Sequence, residues 1–138
     1  MDTMKAVRVD VCGAAEQMSV KEVPLPQPGD GEVRIRLKAC GINLIDTYHR
    51  SGLYPLTLPS PIGLEGAGEI TKAGSDVKDF KVGDKVAYCA APLGAYSTHR
   101  NYPTKNLVKV PDSVDLETAA TLMTKGITTF YLLHKTYP

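Results

Sequence analysis

Gly41 to Pro55 reads G-I-N-L-I-D-T-Y-H-R-S-G-L-Y-P, and Gly63 to Gly68 reads G-L-E-G-A-G. The first run sets an amide (Asn43), a carboxylate (Asp46), two phenols (Tyr48 and Tyr54) and a guanidinium (Arg50) between apolar, strand-like stretches, where a plain connector would need none of them. Such a concentration of polar groups reads as an active-site segment. Each residue also has a simpler reading. Asn43 after Gly41 suits a turn or helix cap, Tyr48 and Tyr54 suit half-buried positions with their hydroxyls in water, and Lys125 suits the exposed start of a helix. Arg50 beside a short helix reads first as a solvated or structural partner. His49, His99 and His134 do not cluster, and none belongs to a nucleophile or metal motif.

The elements that must position these residues are mostly strands. Met4 to Val11 alternates apolar and polar residues and Met18 to Val23 follows, which predicts a hairpin-like pair with its turn near Gly13. Glu32 to Ala39 is the cleanest strand, with Val33, Ile35 and Leu37 on one face and Arg34, Arg36 and Lys38 on the other. Leu44 to Ser51 predicts two helical turns before Gly52, and the prolines between Leu53 and Pro61 forbid regular structure and leave that backbone stiff and exposed. Further strands are expected at Glu69 to Ala73, Lys85 to Ala90, Ala95 to Asn101 and Asn106 to Val110, with turns at G-S-D and V-G-D. Beyond Pro111 the pattern becomes helical. Asp115 can cap a helix bearing Leu116, Ala119, Ala120 and Met123, and a second helix is expected over Thr128 to Lys135. The fold class is therefore mainly β with C-terminal helices.

Composition narrows the function classes. The chain has 138 residues, enough for one domain, and a domain of this size buries roughly 70% of its unfolded surface. Sixteen basic against 15 acidic residues give a net charge of +1, so no field draws in nucleic acid or anionic lipid. Cys12, Cys40 and Cys89 are odd in number and widely spaced, which predicts buried, inert thiols rather than a disulfide framework or zinc knuckle. No basic start followed by an apolar run opens the chain and no stretch has the length of a membrane span, so a cytoplasmic protein without membrane attachment is expected.

Five blocks in order, G-x-N-x-x-D-x-Y-x-R-S-G-x-Y-P, P-x-G-x-E-G-A-G, V-G-D-K-V, L-G-A-Y-S and K-G-x-T-x-x-Y-L-L, resemble the N-terminal catalytic domain of the zinc-independent quinone oxidoreductases of the medium-chain dehydrogenase/reductase superfamily. The likeness is to NADPH:quinone reductases of the zeta-crystallin type and runs from Met4 to Tyr137. Zinc alcohol dehydrogenases of that superfamily carry cysteine at the position of Asn43 and histidine at that of Leu64. Their structural zinc lobe has four cysteines where this chain has Cys89 alone, so the resemblance implies a site without metal.

The resemblance implies a GroES-like partly open β-barrel over residues 1–124, with 125–138 starting the helix that leads to a nucleotide-binding domain. That Rossmann domain is expected to be absent from this chain: G-L-E-G-A-G has the wrong spacing for a dinucleotide fingerprint and follows a proline-rich loop instead of a strand. Its glycines are expected to permit close packing at a bend. The implied activity is metal-free hydride transfer from NADPH to a quinone, with Asn43, Asp46, Tyr54 and Lys125 as candidate catalytic residues. Asn43, Tyr48, Thr128 and Tyr131 are the candidate cofactor contacts, most of the NADPH being bound outside this chain, which alone should be inactive or nearly so. The resemblance also implies a homodimer for the full-length form. Reduction of alkenals or enoyl thioesters is the alternative within the superfamily. A non-catalytic binding or structural module is the alternative outside it.

Overall fold

The computed structural model describes residues 2–136. It holds two antiparallel sheets, two α-helices and short 3-10 turns. In the first sheet β1 (Thr3–Val9) pairs with β2 (Met18–Pro24) in the register Val7 to Val20, forming the expected hairpin-like pair. On its other side β1 meets the two-residue β4 (Ser60–Pro61). The second sheet is built on β3 (Glu32–Gly41), flanked by β5 (Glu65–Ala73) and β7 (His99–Pro103). β6 (Lys85–Tyr88) and the short β8 (Val108–Lys109) extend it beyond β5. A bridge between Ala6 and Ser97 joins the sheets. Neither sheet closes on itself, so the barrel is the partly open one expected.

The alternation read in β3 puts Val33 and Ile35 into a core with Ile70, Val86, Tyr88 and Tyr102. Each such side chain, fully buried, contributes about 1.5–3 kcal/mol. A second cluster of small residues, Ala67, Ala87, Ala119 and Ala120, lets α2 (Leu116–Tyr131) lie close against the sheet. α2 starts at Asp115, whose carboxylate accepts the Thr118 N–H at 2.8 Å. α1 (Leu44–Ser51) ends at Gly52, which takes a left-handed φ of 85° and donates its N–H to the His49 carbonyl.

Four sequence expectations need correction. The two C-terminal helices are one: α2 runs through Gly126 and passes residues 124 and 125 unbroken, because a single glycine weakens a helix by about 1 kcal/mol without ending it. A π-helical turn, Leu132–Thr136, follows. β5 begins at Glu65 instead of Glu69, so Gly66 and Gly68 lie inside a strand and not at a bend. A Cβ on Gly68 would stand 2.1 Å from the Arg36 carbonyl oxygen, so the close packing expected of these glycines is cross-strand. β7 starts at His99 instead of Ala95, because the main chain of Gly94 to Tyr96 is hydrogen-bonded to Ile62 and Gly63. Arg34, expected on the solvated face, is 7% exposed and donates to the Pro26 and Leu25 carbonyls and to Asp2.

The thiols differ from expectation too: Cys40 is exposed and Cys12 and Cys89 are half-buried, all three free. Burial nonetheless raises the Cys40 and Cys89 thiols above their ordinary value, keeping them protonated and poorly nucleophilic. Tyr137 and Pro138, the end of the segment expected to lead to a further domain, lie outside the described residues.

Candidate functional site

Gly41 ends β3 opposite Glu65, the first residue of β5, and Asn43 starts α1 two residues later. Gly41 is required there, since a Cβ would lie 2.4 Å from both the Ala120 carbonyl oxygen and Glu65 Oε2. The close approach brings β3, β5 and α2 together around the Glu65 side chain. Glu65 is fully buried. Its Oε2 accepts from Asn43 Nδ2 at 2.8 Å and its Oε1 from the Thr124 main-chain N–H at 2.8 Å. The Asn43 Oδ1 on the opposite side of the amide accepts from Lys125 Nζ at 3.3 Å, and the same ammonium donates to the Ile42 carbonyl at 3.2 Å. A chain of hydrogen bonds thus runs from a buried carboxylate through an amide to an exposed cation.

Asp46 lies behind Asn43, 4% exposed. Its Oδ2 accepts the Asn43 main-chain N–H at 3.0 Å and the Tyr96 hydroxyl at 2.7 Å, while Oδ1 is buried with no partner among the described residues. Burial, and then the bond to Asp46, hold the Tyr96 phenol well above its ordinary value, so it remains a donor. Asn43 is therefore fixed twice, by Asp46 through its main chain and by Glu65 through its side chain. The cap reading of Asn43 holds, since its main chain starts α1, while its amide bridges Glu65 and Lys125.

A groove of about 540 Å³ opens over this chain of bonds, lined by Ile42, Asn43, Leu44, Leu64, Thr124 and Lys125 among others. Its walls are mostly apolar, and Lys125 is the charged side chain among those lining it. Asn43, Leu64 and Lys125, distant in sequence, thus share one surface. Tyr48 and Tyr54 pair with each other instead, ring edge to face at 5.5 Å, with Tyr54 also against His49 at 5.8 Å. Thr128 and Tyr131 follow on α2, roughly one and two turns beyond Lys125. The Thr128 hydroxyl donates to the Thr124 carbonyl, and Tyr131 is exposed. Arg50 is structural: its Nε donates to the Gly13 carbonyl and its own carbonyl accepts the Gly13 N–H.

Sequence reasoning missed Glu65, Thr124 and Tyr96. Glu65 carried a signal, a lone ionisable side chain among glycines and apolar residues in G-L-E-G-A-G; such a residue is buried only when paired or hydrogen-bonded. Thr124 acts through its main chain and carried none. No three His, Cys, Asp or Glu side chains are gathered among the described residues as a metal ion would require. No helix among them is long and apolar enough to cross a membrane.

Residues 29–112 match the alcohol dehydrogenase GroES-like domain. A quinone oxidoreductase of Pseudomonas aeruginosa is 49% identical over 134 residues, spanning 96% of this chain and 41% of the relative. A 2-haloacrylate reductase of a Burkholderia species is 44% identical over 131 residues, spanning 91% of this chain and 39% of the relative. The Escherichia coli quinone oxidoreductase, solved with NADPH, superposes with a TM-score of 0.93 at 42% identity over 96% of this chain and 41% of that one. The chain thus spans about two fifths of the length of these relatives. The two open sheets are those of the structural relatives, and the chain belongs to the alcohol dehydrogenase GroES-like domain family.

Proposed function

We propose that the protein carrying this chain is an NADPH-dependent quinone reductase that works without a metal ion, and that this chain supplies the substrate wall of its site. The observation that carries the reading is Lys125, a cation held by Asn43 and Ile42 at an apolar groove with one N–H left over among the described residues. NADPH, when bound, supplies the hydride. A quinone carbonyl oxygen gains negative charge as its ring accepts that hydride, and the Lys125 ammonium is placed to donate to it. Ile42, Leu44 and Leu64 pack against the flat ring and keep water from it. The delocalised anion then takes a proton, giving the hydroquinone.

The apolar groove beside exposed hydroxyl groups on α2 fits the nicotinamide end of the cofactor, with Asn43, Tyr48, Thr128 and Tyr131 as its contacts on this side. Residues beyond this chain hold the rest of it. Asn43 and Tyr54 complete the substrate side, and Asp46 serves by holding Asn43. The metal-free reading rests on donor chemistry: Asn43 and Leu64 offer neither thiolate nor imidazole, and both Glu65 oxygens are taken by N–H groups. The resemblance extends to a cytoplasmic homodimer, with residues 1–124 as the catalytic domain and 125–138 leading to the nucleotide-binding one.

A second reading has the same site reduce an electron-poor carbon–carbon double bond, as the Burkholderia relative's name describes for 2-haloacrylate. Lys125 would then face an enolate or carboxylate oxygen. NADPH oxidation by the full-length protein, followed with quinones, alkenals and enoyl thioesters in turn, decides between them. Quinone-dependent turnover that survives chelators is expected; loss on chelation would sink the metal-free mechanism. Binding of neither NADPH nor quinone would leave a non-catalytic module.

A further inference from the structure

We infer that Glu65 is a positioning residue: it sets which way the Asn43 amide faces and so holds the Lys125 ammonium at the groove, a role that rests on the reductase reading above. An asparagine amide can turn over at almost no cost where both of its ends meet water, exchanging donor for acceptor. Here it cannot. Glu65 carries no proton donor when ionised, so only the Nδ2 end of Asn43 can face it, and Oδ1 must then face Lys125. With Oδ1 so placed, the ammonium has two fixed acceptors, Asn43 Oδ1 and the Ile42 carbonyl, and points its remaining N–H away from them.

The Glu65 carboxylate is itself anchored by an unusual donor. The Thr124 N–H lies within α2, in a helix interior whose N–H groups ordinarily serve the helix itself, and it donates to Glu65 Oε1 at 2.8 Å. The carboxylate thus engages α2 directly before Lys125, tying the residue that bears the cation to the strand that orients the amide. The amide also keeps the two charges apart. Glu65 in direct contact with Lys125 would neutralise the cation that the reaction uses, whereas an interposed Asn43 transmits orientation and leaves the charge facing the groove.

Glu65→Gln in the full-length protein tests the assignment. The Thr124 N–H claims the glutamine oxygen, the new NH2 faces Asn43, and the Asn43 amide turns over to set its own NH2 against Lys125. A fall in kcat on the order of 10- to 100-fold, with NADPH affinity kept, is expected for a misplaced donor. In an Asn43→Ala background the same substitution should change kcat by less than about twofold, because Glu65 acts through the amide. Independent losses that multiply, or a full kcat in Glu65→Gln, would overturn the assignment. Should that variant fail to fold, proton exchange at the Asn43 side-chain amide of the unmodified protein decides it. One slowly exchanging Nδ2 proton is expected, and two rapidly exchanging ones would refute the fixed orientation. That readout needs no turnover, so an enzyme inactive on quinones and alkenes would sink the reductase reading while the orientation is still tested.

Discussion

Asn43 and Glu65 meet at 2.8 Å between the end of β3 and the start of β5, an amide against a fully buried carboxylate. The pair explains why two separated sequence blocks form one site. Gly41 brings β3 close enough for the contact, Glu65 reaches α2, and Lys125 then stands over the groove. The proposed reduction on this surface would depend on the orientation of an amide and the placement of one cation.

Replacement of that cation should be costly. Lys125→Met keeps most of the side-chain volume and removes the charge and its N–H groups, and kcat for quinone reduction should fall on the order of 100-fold, as when one preorganised donor is lost. NADPH binding followed by fluorescence should change little. A Lys125→Met enzyme with unimpaired kcat would remove Lys125 from the mechanism.

Two glycine substitutions should move stability in opposite directions. Gly41→Ala forces a methyl group to within 2.4 Å of the Ala120 carbonyl oxygen and of Glu65, and should cost about 1–3 kcal/mol. Gly126→Ala, with open space around it inside α2, should add up to about 1 kcal/mol. Urea unfolding midpoints measure both. Equal effects of one sign would contradict the close approach at Gly41.

Much of this framework was legible in the sequence because its causes are local. Val33, Ile35 and Leu37 announce β3 by alternation, Gly52 announces the end of α1, and Asp115 announces the start of α2. What was not legible depends on distant partners. Gly66 and Gly68 belong to a strand despite poor strand propensity, because Tyr88 and the β3 main chain leave no room for a Cβ. Arg34 is buried because the Leu25 and Pro26 carbonyls and Asp2 receive it. Asn43, Asp46 and Lys125 carry a motif signal, whereas the burial of Glu65 does not, since its partners lie 22 and 59 residues away in sequence.

Alkaline pH should unfold the domain through its buried phenols. Burial raises Tyr88 to about 12, and burial with the Asp46 bond raises Tyr96 as well. In the unfolded chain both ionise near an ordinary tyrosine pKa of about 10. Above that pH the folded state holds more protons than the unfolded one, so stability falls as pH rises and is intact below it. Unfolding free energy measured from pH 8 to 11 should decline most steeply beyond pH 10, and less steeply in Tyr96→Phe. An unchanged slope in that variant would place the effect elsewhere.

Arg100 offers a sharper test of packing than its surroundings suggest. The residue is 5% exposed, and its guanidinium lies 4.9 Å from the Tyr88 ring centre and 4.7 Å from that of Tyr102 and donates to the Pro92 and Leu93 carbonyls at 2.7 and 3.2 Å. No carboxylate pairs with it among the described residues. The charge is accommodated by ring faces and carbonyl dipoles, which suit a flat, weakly hydrated fork and not a compact ammonium. Arg100→Lys keeps the charge but loses the stacking and the fork, and should cost about 2–3 kcal/mol, the scale of hydrogen bonds to a charged group. Thermal unfolding measures the loss, and a variant as stable as the parent would show that charge alone, and not shape, is what this core requires.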